Sequence, residues 1–218
     1  MPVGAGDEYS QKRPFFFSGT VIIIMAEFRP EILTTENYAM TLPNLLSCSR
    51  YFLALPMAYL VFTEAWAGAA IIFWIAVATD IADGHIARIR NQSTALGGFL
   101  DHSSDAFFVT ALLLALSQHD TVSLVLPGLV VAAFLQYTLD SKVLAGHHLR
   151  TSSLGRYNGI SYFIFGGLPV MQNALQIHVI PNDYFPYLGW GLVLSTSISM
   201  LDRAVTLIAS KSGSSLDK

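Results

Sequence analysis

Four aspartates and two arginines, Arg88 and Arg90, lie close together in residues 80–105, DIADGHIARIRNQSTALGGFLDHSSD. If the segment is helical, Asp80 and Asp83 share one helix face, and Asp101 and Asp105 share another. If the two faces meet, the four carboxylates repel one another unless cations lie among them, and Arg88 alone supplies too little positive charge. Carboxylate and water ligands suit Mg²⁺ or Mn²⁺. The segment therefore predicts a divalent-metal site.

Two glycines, Gly84 and Gly97, accompany the acidic residues. Small residues commonly allow membrane helices to pack closely, and that is one interpretation of both positions. The other is that they leave room for a flat or phosphorylated ligand beside the backbone. Two metal ions and an arginine bind a pyrophosphate well. At a lipid–water boundary, such a site indicates a lipid-linked substrate.

The rest of the chain predicts an all-α integral membrane protein. Its 218 residues are 53% hydrophobic and only 12% charged, whereas a soluble domain carries about 25% charge. Mean hydropathy is +0.50. Apolar stretches of about 20 residues predict six transmembrane helices, at 43–63, 66–89, 97–118, 121–144, 156–175 and 186–208. The four aspartates then lie at one end of the hairpin formed by the second and third helices.

The basic residues predict the orientation of these helices. They lie in every second connection between the six predicted spans, and therefore on one side of the membrane. Because positive charge is concentrated on the cytoplasmic side, both termini and the acidic end of the hairpin are expected to face the cytoplasm. The apolar run 15–26 is short for a span and predicts an interfacial helix on the cytoplasmic face. The expected organisation is an N-terminal cytoplasmic or interfacial segment, a six-helix domain and a flexible cytoplasmic tail, at 1–41, 42–208 and 209–218. A net charge of −3 argues against a nucleic-acid partner.

The acidic segment resembles the signature of the CDP-alcohol phosphotransferase family, D-x2-D-G-x2-A-R-x8-G-x3-D-x3-D. Every specified position matches without a gap: Asp80, Asp83, Gly84, Ala87, Arg88, Gly97, Asp101 and Asp105. Six helices also agree with the family's fold. A weaker resemblance, Leu42-Pro43-Asn44-Leu45-Leu46-Ser47 with Arg50, links the first helix to bacterial phosphatidylglycerophosphate synthases and to relatives of cardiolipin synthase.

The resemblance implies an activity and a role for each matching residue. Such enzymes transfer a phosphoalcohol group from a CDP-linked donor to an alcohol and release CMP. CDP-diacylglycerol is the first choice of donor, and CDP-choline or CDP-ethanolamine with diacylglycerol as acceptor is the lower-ranked alternative. The four aspartates would hold one or two Mg²⁺ or Mn²⁺ ions, and Asp105 would also be the general base. The CDP moiety would be bound by Gly84, Ala87, Arg88 and Gly97. Asn44 is either a further CDP contact or an ordinary helix cap. A homodimer in the cytoplasmic membrane of a bacterium is expected.

The acceptor alcohol depends on basic residues outside the signature. Glycerol 3-phosphate is the first choice, and its phosphate would need cations, for which Lys142, Arg150, Arg156 and Arg203 are available. For Arg203, an ion pair or snorkelling to the membrane surface is the competing interpretation. Gly155 and Arg156 only loosely match the Gly-Lys-x-Lys-Thr-like stretch of phosphatidylglycerophosphate synthases. Inositol phosphate, or a free alcohol such as choline or serine, therefore stays open as acceptor.

Two other classes of function compete with an enzyme. Paired acids inside a membrane can carry ions, as in a cation transporter. The fixed spacing of Gly84, Ala87 and Arg88 is not needed for ion passage alone, and acids near one membrane face fit an enzyme better. A catalytically silent lipid-binding relative is the third class, but such a protein would have no use for Asp105. Release of CMP separates the enzyme from both alternatives.

Overall fold

A computed structural model describes residues 42–89, 95–140 and 153–213 of the chain. The regular elements in these ranges are helical. Six α-helices follow one another as α1 Leu42–Phe62, α2 Trp66–Ile89, α3 Ala95–Ser117, α4 Val125–Asp140, α5 Ser153–Leu175 and α6 Phe185–Gly213, with a short 3-10 helix, Asn182–Tyr184, before α6. The all-helical fold with six helices is thus confirmed. The predicted interfacial helix and segment 1–41 lie outside the described residues.

Three predicted helix boundaries were wrong by three residues or more. Helix α5 begins at Ser153 rather than at residue 156. Helix α4 begins at Val125 rather than at residue 121, because the Ser123 hydroxyl accepts a hydrogen bond from the Val125 amide and caps the helix start. Pro127 lies in the first turn, where its missing N–H is not needed. Helix α6 continues past residue 208 to Gly213 and takes in part of the predicted tail.

Three helices are long and apolar enough to cross a membrane, namely Leu42–Phe62, Trp66–Ile86 and Gly97–Ser117. Helix α4 is also apolar but shorter. Large apolar side chains point outward from these helices, including Phe52 and Leu55 of α1 and Trp74 of α2. A soluble protein rarely exposes so much continuous apolar surface, whereas lipid covers it without cost. The chain is therefore a membrane protein, and six spans remain the predicted topology.

Helix α3 is the centre of the bundle and contacts α1, α4 and α5. Helix α2 packs between α1 and α5, and α6 packs against α4 and α5. The side chains of Phe108, Leu112 and Leu116 on α3 are completely buried. Helix α5 approaches them closely, because a Cβ atom on Gly166 would lie 2.8 Å from the Leu112 side chain. This packing fixes the position of α3 relative to the helices around it.

Helix α1 joins α2 and α3 at the end of the bundle where the four aspartates lie. The Ser47 hydroxyl donates a 2.8 Å hydrogen bond to Asp83 of α2. The Tyr51 hydroxyl donates a 2.6 Å hydrogen bond to Ser103 of α3. These two bonds come from successive turns of α1, so this helix sets the spacing of the hairpin helices at the acidic end.

Candidate active site

The four aspartates converge as predicted, and a buried arginine lies among them. Arg50 of α1 is completely buried. Its Nη1 contacts Asp80 and lies 2.5 Å from Asp105 Oδ1. Its Nη2 contacts Asp101 and lies 3.0 Å from Asp83 Oδ2. One guanidinium thus bridges all four carboxylates, two from each helix of the hairpin.

The four acids differ in their exposure. Asp83 is almost completely buried, and its Oδ2 accepts hydrogen bonds from both Ser47 and Arg50. The side chain of Asp80 is 43% exposed, and those of Asp101 and Asp105 are 33% and 29% exposed. Asp83 therefore anchors the cluster to α1, while the other three carboxylates are open to a ligand.

The three open carboxylates fit a divalent cation. One oxygen from each of Asp80, Asp101 and Asp105 can be chosen so that the three atoms lie within 4.8 Å of one another. Four carboxylates and one guanidinium leave the cluster with three excess negative charges if all are ionised. Oxygen donors in a negatively charged cluster suit Mg²⁺ or Mn²⁺. The donor set therefore agrees with the predicted metal class.

A cavity of about 450 Å³ opens beside these carboxylates, among helices α3 to α6. Asp80 and Asp105 line it at the acidic cluster. Arg156 of α5 and Arg203 of α6 also line it and provide positive charge. Between them lie the polar side chains of Asn158, Tyr162 and Thr196, together with apolar side chains that include Phe134 and Phe163. The cavity can therefore hold an anionic ligand that carries hydroxyl groups.

Stacked side chains hold Arg203 at the cavity wall. Its guanidinium lies 4.5 Å from the centre of the Tyr137 ring, and its Nη1 lies 4.0 Å from Asp140 Oδ2. His102 stacks on Tyr137 with the ring centres 5.7 Å apart, and its Nδ1 lies 3.5 Å from Asp101 Oδ2. Aromatic and cationic side chains thus connect the cavity wall to the acidic cluster.

Three of the predicted nucleotide-contact residues lie on the helices that carry the acidic cluster and Arg50, namely Asn44 on α1, Gly84 on α2 and Gly97 on α3. Asn44 is buried near the start of α1, and Gly84 follows Asp83 on α2. A Cβ atom built on Gly84 would meet no described atom within 4 Å. Close helix packing therefore does not explain Gly84, and open space beside the backbone does. Gly97 lies in the first turns of α3 and is half-buried.

The side chains of four other predicted contacts lie outside the described part of the structure. Ala87 and Arg88 lie on α2, but their side chains are outside the described part of the structure. Lys142 and Arg150 are also outside it, between α4 and α5. Of the four predicted acceptor contacts, the structure therefore brings Arg156 and Arg203 together at the cavity.

Arg50 is the site residue whose role the sequence did not reveal. In the sequence, Arg50 features only in the resemblance of the first helix, and the positive charge among the acids is attributed to metal ions and Arg88. A signal was present, since an arginine inside an apolar helix is costly unless it is paired. Four unpaired aspartates on the next two helices could have been named as its partners.

Comparison with known proteins identifies the family. Residues 40–200 match the family model of CDP-alcohol phosphatidyltransferase. A CDP-diacylglycerol–glycerol-3-phosphate 3-phosphatidyltransferase of Pseudomonas fluorescens is 36% identical over 96 residues, covering 42% of this chain and 49% of that protein. A CMP-forming cardiolipin synthase of Rattus norvegicus is 37% identical over 42% of this chain and 31% of its own length. The chain thus matches less than half the length of either relative.

Another match is longer but lower in sequence identity, and it covers almost the whole length of the relative. A CDP-diacylglycerol–glycerol-3-phosphate 3-phosphatidyltransferase of Salmonella choleraesuis is 24% identical over 81% of this chain and 98% of its own length. No solved structure gives a significant match. The signature in residues 80–105 lies within the family match, which covers α1 to α5 and the part of α6 up to residue 200. The chain belongs to the CDP-alcohol phosphatidyltransferase family.

Proposed function

We propose that this protein transfers a phosphatidyl group from CDP-diacylglycerol to a small alcohol, with glycerol 3-phosphate as the first choice, and releases CMP. The observation that carries the proposal is the position of Asp80 and Asp105. They belong both to the group of carboxylates that can hold a cation and to the wall of a cavity that contains two arginines. A metal-bound pyrophosphate and an anionic acceptor would therefore meet at these two side chains.

The metal site comprises Asp80, Asp101 and Asp105, with Asp83 completing the set. Bound Mg²⁺ or Mn²⁺ would neutralise charge on the donor's pyrophosphate as CMP leaves. The described carboxylates offer enough oxygen atoms for two ions. Because Asp83 is fixed by Ser47 and Arg50, we expect it to hold the cluster in place as well as to contribute an oxygen.

Asp105 is the proposed general base. It borders both the cation-binding group and the cavity, so its carboxylate can reach an acceptor hydroxyl placed there. The carboxylate would take the hydroxyl proton while the hydroxyl oxygen bonds to the β-phosphorus and the bond from that phosphorus to the bridging oxygen breaks. The bridging oxygen leaves with CMP. The transfer needs no covalent enzyme intermediate, since positioning and electrostatics dominate phosphoryl-type reactions.

The nucleotide would lie on the side of the cluster that carries Gly84. Open space beside this glycine admits a flat group close to the α2 backbone. Asn44, Gly97, Ala87 and Arg88 are the further proposed contacts, because the family signature or the opening of the first helix includes them. This arrangement would keep the cytidine and the acceptor on different sides of the carboxylates.

The acceptor phosphate would be bound by Arg156 and Arg203. Both line the cavity, and guanidinium groups bind phosphate through two parallel hydrogen bonds. The relatives from Pseudomonas fluorescens and Salmonella choleraesuis are named for glycerol 3-phosphate, which supports this acceptor. Lys142 and Arg150, which lie outside the described residues, are the further proposed contacts to the acceptor phosphate because both are basic. Inositol phosphate would satisfy the same arginines and is the alternative phosphorylated acceptor.

A second candidate acceptor is a lipid, as in cardiolipin synthesis. The cardiolipin synthase of Rattus norvegicus is as similar over its matched length as the phosphatidyltransferase of Pseudomonas fluorescens. The cavity wall also has a long apolar side that includes Val109, Val130 and Met200. The headgroup of phosphatidylglycerol would then take the place of glycerol 3-phosphate.

The proposed setting is a bacterial cytoplasmic membrane. Six spans with both termini inside would put the acidic cluster at the cytoplasmic face, where CDP-diacylglycerol headgroups and water-soluble acceptors meet. The concentration of Lys and Arg in every second connection between the spans supports this orientation, because those connections all lie on one side of the membrane. A homodimer is the proposed assembly, on the basis of the family alone.

The acceptor can be identified with purified protein in mild detergent. Reactions would contain CDP-diacylglycerol, Mg²⁺ or Mn²⁺, and either glycerol 3-phosphate, inositol 1-phosphate or phosphatidylglycerol. Mass spectrometry of the lipid product together with CMP release is expected to show phosphatidylglycerophosphate. A product formed only from phosphatidylglycerol would instead support the cardiolipin reaction. Absence of any product with all three acceptors, in folded protein, would contradict the proposed function.

A further inference from the structure

We infer that Arg50 is a built-in cation that opposes metal binding at the acidic cluster and holds its four carboxylates together until a metal ion arrives. The inference rests on the proposed metal-dependent function and goes beyond it. It assigns to a residue outside the family signature a direct influence on metal affinity.

The geometry places the guanidinium where it must influence a bound ion. Arg50 contacts all three carboxylates of the cation-binding group, Asp80, Asp101 and Asp105. Each contact uses one oxygen atom of the carboxylate, so a cation held by the same three carboxylates shares them with the guanidinium. An ion bound by these carboxylates would lie within a few ångströms of the guanidinium charge.

Burial makes this charge effective. Arg50 has no exposed surface, so water screens its charge less than it would at the protein surface. The four carboxylates carry four negative charges when all are ionised, and the positive charge of Arg50 neutralises one of these charges. Without Arg50, the unbalanced repulsion within the cluster would have to be overcome whenever the metal is absent. The arginine thus stabilises the metal-free fold and weakens the attraction for the metal.

Linkage gives this opposition a measurable form. If Arg50 and the metal ion compete for the same negative charge, removing Arg50 must increase the free energy gained on metal binding. A merely structural arginine would behave differently. Its removal would lower the melting temperature equally with and without metal and would leave the metal dissociation constant unchanged.

The test compares wild-type protein with Arg50→Gln, both purified in detergent as full chains. Mn²⁺ binding is followed by the electron paramagnetic resonance signal of free Mn²⁺, and melting temperature is measured with EDTA and with Mn²⁺. We expect Arg50→Gln to bind Mn²⁺ about tenfold more tightly or better, and to show a larger Mn²⁺-induced rise in melting temperature. An unchanged or weaker affinity, in protein that folds with Mn²⁺, would overturn the inference.

A double-mutant comparison separates the charge of Arg50 from the loss of a carboxylate. Asp83→Asn alone measures what the loss of the Asp83 oxygen does to Mn²⁺ affinity. Arg50→Gln is then expected to tighten Mn²⁺ binding in the Asp83→Asn background as it does in the wild-type background. If Arg50→Gln did not tighten Mn²⁺ binding in the Asp83→Asn background, the electrostatic opposition would be refuted.

A milder variant keeps the test open if Arg50→Gln does not fold. Lysine in Arg50→Lys retains the charge but cannot contact four carboxylates at once, so a Mn²⁺-induced rise larger than that of wild type is expected. An equal or smaller rise would overturn the inference. Wild-type protein that neither binds Mn²⁺ nor is stabilised by it would contradict the proposed metal site itself, whereas normal wild-type binding with no effect of Arg50 would refute the inference alone.

Discussion

Individual side chains at the acidic cluster have different environments, which suit different proposed roles. Asp83 is buried and bonded to Ser47, which suits an anchoring role. Asp105 faces the cavity, which suits proton transfer. Their types and spacing were evident from the sequence, because the motif fixes both. Their different environments were not, since these depend on where α1 places Ser47 and Arg50.

Asp105→Asn is expected to abolish most of the CMP release. An amide cannot accept the hydroxyl proton as a carboxylate does, and loss of a general base costs about 100-fold or more in rate. The measurement is CMP release from CDP-diacylglycerol with glycerol 3-phosphate. Asp183→Asn, an exposed aspartate in the 3-10 helix, is the control and should keep normal activity. Full activity in Asp105→Asn would remove this residue from the proposed chemistry.

Gly84→Ala should impair donor binding without harming the fold. The added methyl group meets no described atom within 4 Å, and alanine favours a helix over glycine by about 1 kcal/mol. The melting temperature should therefore stay the same or rise, while KM for CDP-diacylglycerol increases. Gly191→Ala is the matched control, because its methyl group also meets open space. Unchanged KM in Gly84→Ala would show that the space beside α2 is not used by the nucleotide.

At the scale of helices, close packing of α5 against α2 and α3 fixes the cavity. A Cβ atom on Gly167 would lie 2.3 Å from the Phe73 ring of α2, and one on Gly166 would lie 2.8 Å from Leu112 of α3. Both glycines lie at the same level of α5 as the buried core. The helices that hold Asp80 and Arg156 therefore depend on this contact for their separation.

Gly167→Ala is expected to destabilise the protein. The Phe73 ring would have to move, and overpacking of a core typically costs roughly 1–3 kcal/mol. Thermal unfolding in detergent should show a lower melting temperature. Gly128→Ala in α4, which meets no described atom, is the control and should melt at the wild-type temperature or above. Equal melting temperatures for the two variants would show that the α2–α5 contact is looser than described.

The pattern of hydrophobic residues predicted where the helices lie in the sequence more accurately than it predicted the residues at which they begin and end. The positions of α1, α2 and α3 follow directly from apolar runs bounded by charge, and the acidic hairpin follows with them. The start of α4 did not, because residues 121–124 are apolar enough to continue a helix, yet Ser123 caps it at Val125. Local hydrogen bonding, rather than hydropathy, set that boundary.

At the scale of the whole molecule, the predicted arrangement puts both ends of the chain and the acidic cluster on one side of a membrane. The turn after α1 contains Glu64, and the segment before α6 contains Asp183. If all six helices span, these two positions lie on the side opposite to Gly213 at the end of α6. The outward apolar surfaces of α1 and α2 are consistent with lipid around the bundle.

Cysteine labelling tests this topology. Single cysteines at positions 64, 183 and 213, in a Cys48→Ser background, would be exposed to a membrane-impermeant maleimide in intact cells and in inverted vesicles. Labelling of 64 and 183 is expected from outside, and labelling of 213 from inside, since five predicted spans separate 64 from 213 and one separates 183 from 213. If 183 and 213 labelled from the same side, α6 would not span and the predicted topology would be wrong.

Only the part of the site that lies within the signature of residues 80–105 could be predicted from the sequence. The convergence of the four acids followed from spacing within one hairpin. The cavity did not, because side chains of α3, α4, α5 and α6 form it together with Asp80 of α2. Arg50 contacts acids that are 30 to 55 residues away in sequence, and only packing of α1 against both hairpin helices reveals that contact.

Metal-dependent release of CMP tests the central claim most directly. Folded protein in detergent would be mixed with CDP-diacylglycerol and glycerol 3-phosphate, with Mg²⁺ or Mn²⁺ in one reaction and EDTA in the other. The proposed chemistry predicts CMP release that requires the metal ion, requires the acceptor and is lost in Asp105→Asn. CMP release that is unaffected by EDTA, or no release with any acceptor in protein that binds Mn²⁺, would contradict it.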